Sequence, residues 1–110
     1  MKNTTLNFYE RIRTLDILGV QEARLAEVAI YLRIIDKIRF TEDEEKAAKL
    51  KRNESSVQWE LPNPEYGTIT AQLEDVEAEK LLGLLQSWPH ISTRDAKWIL
   101  RVVDDLKKAA

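Results

Sequence analysis

Residues 21–39 read QEARLAEVAIYLRIIDKIR and residues 93–106 read TRDAKWILRVVDDL. Neither stretch holds Gly or Pro, and both repeat apolar residues at the three-to-four spacing of one helix face. Set at about 100° per residue, Trp98, Val102, Leu106, Ile99, Val103, Ala96 and Leu100 cover an arc of roughly 200°. In the other stretch Ile30, Ile34, Ile38, Tyr31, Ile35, Val28, Leu32 and Leu25 cover slightly more than half the circumference. A surface helix of a globular protein needs an apolar stripe of little more than about 100°. Faces this wide predict a central helix, or one shared with a partner. The expected contact residues are Tyr31, Ile34 and Ile38 on the first helix and Trp98 and Val102 on the second.

Outward from these two helices, the remaining segments read as smaller elements. Phe8, Tyr9, Ile12, Leu15 and Leu18 give a first helix from about Thr5, with Gly19 placed to end it in a left-handed turn. Thr41 and Glu44 form a capping box for a short helix over about residues 42–50. That helix starts acidic and ends basic, which complements its dipole. Val57, Trp59 and Leu61 then alternate with polar residues, as do Ile69, Ala71 and Leu73. Pro62-Asn63-Pro64-Glu65-Tyr66-Gly67 between them is a dense turn signal, so the pair predicts a β-hairpin docked on the helices. The helical period returns from about Val76 to Trp88, with Gly83 marking a site of close packing and Pro89 ending the segment. Ser92 and Asp95 cap the last helix, and Glu74-Asp75 lies at the start of the one before it. The expected fold is one α+β domain over residues 1–110, predominantly helical, with about five helices and one hairpin.

Composition limits the functions open to such a chain. It carries 17 basic and 19 acidic residues, a net charge of −2, and no cysteine. The balance argues against a broad phosphate-binding surface, and the lack of thiols removes disulfides, thiolate metal sites and cysteine nucleophiles. The N-terminus lacks the pattern of a cleaved signal, and no run has the roughly 18 apolar residues of a membrane span, so a cytoplasmic location is expected. His90 is the single histidine, between Pro89 and Ile91, and reads as a turn residue rather than a base. The acidic clusters Glu42–Glu45, Glu74-Asp75 and Asp104-Asp105 lack the spacing of a calcium loop. The glycines at 19, 67 and 83 form no phosphate loop. No catalytic set, metal or cofactor is expected.

Two binding readings remain. Wide apolar faces suit a non-catalytic module that self-associates or binds another protein. Three helices followed by a hairpin also match the element order of a winged helix, with Lys46, Lys49, Lys51 and Arg52 as its basic cluster. Four consecutive acids at the start of the third helix, and a would-be wing without Lys or Arg, oppose that alternative.

LNFYERIRTLDIL (residues 6–18), FTEDEE (residues 40–45) ahead of a lone Trp strand, and a terminal helix pair joined by a Ser/Thr-capped turn resemble a group of small phage and prophage proteins. The likeness covers most of the chain in order and pattern, while Trp88 and Trp98 depart from it. That group has no established activity, so no functional residue is transferred. The resemblance implies a mobile-element protein of a bacterial cytoplasm that acts by binding host or phage machinery.

Overall fold

A computed structural model of the chain describes residues 1–108. It opens on a strand, β1 (Lys2–Leu6), where the periodicity predicted the approach to a helix. Thr4 and Leu6 point inward and Asn3 and Thr5 outward, the alternation of a half-buried strand rich in β-branched residues. Asn7 then caps α1 (Phe8–Gly19) in a reciprocal box with Glu10. Gly19 is the last helical turn residue and not a left-handed cap; among the described glycines only Gly67 has a positive φ.

The second helix, α2 (Leu25–Ile38), is shorter at its start than residues 21–39 suggested. Gln21 instead serves the end of α1, its backbone N–H reaching the Leu18 carbonyl and its side chain donating to the Ile17 carbonyl at 2.8 Å. After it, α3 (Glu42–Ala47) starts on the expected Thr41–Glu44 capping box. It stops three residues early. Lys49 takes a left-handed φ of 50°, and the bonds Leu50 N–H to Glu45 carbonyl and Lys49 N–H to Lys46 carbonyl close a Schellman turn.

The predicted hairpin does not form as drawn. Strand β2 (Lys51–Arg52) pairs with β3 (Val57–Gln58) in a two-residue antiparallel ladder. The second half of the expected hairpin, β4 (Ile69–Leu73), pairs antiparallel with β1 from Lys2↔Leu73 to Leu6↔Ile69. Alternation located β4 correctly but carried no information about its partner, because pairing rewards any strand with a matching apolar face. The last elements are α4 (Asp75–Ser87) and α5 (Thr93–Lys107), the latter capped by Ser92 as expected. The fold is α+β and predominantly helical, with five helices and two small antiparallel sheets among the described residues.

Two apolar clusters hold these elements together. The larger gathers Ile34 and Ile38 of α2, Leu6, Leu73, Leu81 and Leu85, and the buried face of α5. The smaller is centred on Phe8, Ile12, Phe40 and Ala48, with Val57, Trp59 and Leu61 packed on it. Phe8 stacks on Phe40 at 4.4 Å and on Trp59 at 5.7 Å between ring centroids. A Cβ on Gly67 would lie 2.7 Å from Phe8 Cδ2, so close approach and φ of 81° both require glycine there. Gly83 has nothing within 4 Å of the same position and marks no contact.

Candidate functional site

All five residues expected to form an interaction face are buried: Tyr31, Ile34, Ile38, Trp98 and Val102. They build the core, and a side chain already packed on its own chain is not free to meet a partner. α5 accounts for its wide arc internally, since it packs on both α4 and β1. Only Leu100, 62% exposed, stands outside. α2 is covered less completely. Leu25 is 83% and Leu32 55% exposed, two turns apart on one face, with exposed Ala29 and half-buried Val28 between them. The uncovered apolar surface therefore lies on the flank of the predicted face and not at its centre.

The basic cluster is offset by acidic neighbours. Lys46, Lys49, Lys51 and Arg52 are exposed, but Lys49 pairs with Glu60 at 3.6 Å, and Glu42 and Glu45 share a shallow depression with Lys46, Lys49 and Lys51. The wing that would have accompanied it is absent, because β4 pairs elsewhere.

Three carboxylates bind the framework from inside. Arg11, only 2% exposed, donates to the carbonyls of Ile38, Arg39 and Gly67 at 2.7–2.9 Å and forks onto Glu44, while its guanidinium lies 4.1 Å from the Phe40 ring centroid. Its bonds to Glu44 hold that carboxyl below the usual range against the opposing effect of burial. Glu77 of α4, 1% exposed, receives Arg33 and Lys37 of α2. Burial works against its ionisation, but the Lys37 bond, the Glu74 N–H and both cations outweigh it and lower its pKa. Buried Glu10 receives Arg101 of α5 at 2.7 Å.

Beside the smaller cluster lies an open cleft of about 560 Å3, between α1, the 53–59 segment and the start of α5. Tyr9, Arg13 and Asp16 form one wall, Trp59 and residues 53–57 another, and His90, Arg94 and Asp95 close it. Asp95 sits beneath this wall and is buried. It accepts the Tyr9 hydroxyl at 2.7 Å, the Trp98 indole N–H at 3.2 Å and an ion pair with Arg13 at 3.5 Å. Burial raises its pKa and these partners more than reverse the effect, so the group stays ionised and satisfied. With its carboxylate engaged here, Asp95 does not close the capping box that its spacing from Ser92 suggested.

Arg94 is the exposed cation of the site. Its guanidinium stands 5.6 Å from the Tyr9 ring centroid and donates to the Tyr9 hydroxyl at 3.3 Å. Among the described residues it has no carboxylate within ion-pair distance. A smaller apolar depression bounded by Tyr9, Trp59, Arg94 and Trp98 adjoins the cleft. Sequence reasoning placed Trp98 on the apolar face of a helix and His90 in a turn, but did not assemble this group. Its one local signal is spacing: Tyr9 with Arg13, and Arg94 with Trp98, are four apart and share a helix face.

No group of three or more His, Cys, Asp or Glu side chains with metal-site geometry is gathered among the described residues. None of the described helices is long and apolar enough to cross a membrane. Comparison with protein-family models, curated proteins and solved structures finds no match to the chain.

Proposed function

We propose that this chain is a non-catalytic protein-interaction module, self-associating or binding a host or phage protein in a bacterial cytoplasm, as its resemblance to small phage and prophage proteins implies. The observation that carries this reading is the exposure of Leu25 and Leu32 on one face of α2. Two leucines left in water two turns apart, with Val28 and Ala29 between them, form an apolar stripe suited to a partner helix or groove. Each would gain roughly 1.5–3 kcal/mol on full burial.

Mass measured by light scattering across the micromolar range tests the proposal, with affinity capture on the wild-type chain beside it. At concentrations where the wild type is monomeric, the double variant L25E/L32E should unfold at the wild-type temperature, since neither side chain is in the core. It should lose either the self-association or the captured partner that the wild type shows. A wild-type chain that stays monomeric and recovers no partner that the double variant fails to recover would refute it.

A further inference from the structure

The cleft beside α1 is independent of the α2 stripe and has a chemistry of its own. Tyr9 and Trp59 are half-buried, with centroids 6.1 Å apart. Trp59 packs its inner side on Phe8, and both Tyr9 and Trp59 line the cleft. Trp98 is buried and reaches only the floor of the adjoining depression, so Tyr9 and Trp59 are the half-buried aromatics of the cleft. Accessible aromatic surface of this kind stacks on flat π-systems. Arg94 borders both depressions and presents a planar fork of donors, of which one is committed to the Tyr9 hydroxyl. Such a fork matches a phosphate or carboxylate. Asp95, the carboxylate nearest to it, is already satisfied by Tyr9, Trp98 and Arg13 and leaves Arg94 its positive charge.

Scale and charge narrow the ligand further. The cleft, open to solvent and about 560 Å3, has room for a ligand of mononucleotide size. Asp16 and Glu54 are exposed on the same walls, and with a chain charge of −2 they disfavour a long polyanion laid across the whole cleft. A ligand with one flat ring and one or a few phosphates meets both conditions. We infer that the Tyr9–Trp59–Arg94 cleft binds a nucleotide, its base stacked on the aromatic pair and its phosphate held by the Arg94 guanidinium.

Titration of the 15N-labelled full chain with adenosine or uridine 5′-monophosphate tests this, because its three tryptophans give separate indole signals. The Trp59 and Trp98 signals should shift saturably, while Trp88, which lies outside the cleft, should not move. R94A should weaken binding by about tenfold or more, the loss expected for one charge-assisted contact. It should keep the wild-type unfolding temperature, and R94K should fall between the two. The nucleoside alone and inorganic phosphate alone should each bind far more weakly than the monophosphate. A short single-stranded oligonucleotide should bind no more tightly than the monophosphate, since Asp16 and Glu54 line the walls; clearly tighter binding of the strand would overturn the assignment to a free nucleotide. No saturable shift up to about 1 mM, equal affinity of R94A, or equal binding of the nucleoside without phosphate would overturn it.

Discussion

α2 and α5 carry apolar arcs of similar width, yet the fold treats them differently. On α5, Trp98, Ile99, Val102, Val103 and Leu106 are all buried and only Leu100 faces water. On α2, burial is confined to Tyr31, Ile34 and Ile38, while the first turn and the Leu25–Leu32 flank are exposed. The reason lies in what stands on either side. α5 packs on both β1 and α4, and its apolar face is buried from Trp98 to Leu106 apart from Leu100. α2 meets α1, α4 and β4, and its C-terminal end is pinned by Arg11 through the carbonyls of Ile38 and Arg39. No comparable bond holds its first turn, whose N-cap Arg24 makes no side-chain cap. Arc width thus measures how much apolar surface is available, and the neighbours set how much is used.

The strongest test of this contrast is the pin itself. R11M leaves three carbonyls without their side-chain donor and Glu44 without its cation, though still bonded by the Thr41 N–H, and should cost about 3 kcal/mol or more, as removal of a buried charged partner does. Chemical denaturation measures the loss, and hydrogen exchange should show α2 losing more protection than α5. Next come the sealed parts of the two arcs. I34A and L106A should each cost about 2–4 kcal/mol, and similar values would show that the two buried faces are equivalent.

Glu77, which ties α2 to α4, gives a smaller effect with a pH signature. Its folded pKa lies below the ordinary value of 4.5, so its contribution is present above that pH and fades as pH falls through the lower folded value. E77Q should cost roughly 1–3 kcal/mol at neutral pH and flatten the acid limb of the stability curve. A variant whose acid limb matches the wild type would mean that the α2–α4 tie is not electrostatic. Smallest of all, L25A and L32A should each change the stability of the monomer, measured at low protein concentration, by no more than about 0.5 kcal/mol. A larger loss would show that the α2 flank is covered in solution, by a second copy if the loss depends on protein concentration.

Much of the architecture was legible in the chain. The capping box at Thr41–Glu44 and the Ser92 cap start α3 and α5 as their spacing predicts, and apolar periodicity located α1, α2, α4 and α5. β1 was missed because only five residues carry its alternation and the helical spacing from Phe8 onward overlapped its end. The cleft was harder to see. Tyr9, Trp59 and Arg94 are at least 35 residues apart in the chain and belong to α1, a loop after β3 and α5. Each alone reads as a surface or core residue of its own segment.

The order and kind of the helices, their caps and the apolar side of each follow from residues within a few positions of one another, since helical hydrogen bonds and the three-to-four spacing are local. The pairing of β4 with β1, the sealing of α5 with α2 left partly open, and the meeting of Arg94 with Tyr9 rest on contacts between distant segments. A strand edge or an apolar flank accepts any complementary neighbour, and the choice among neighbours belongs to the packing of the whole chain.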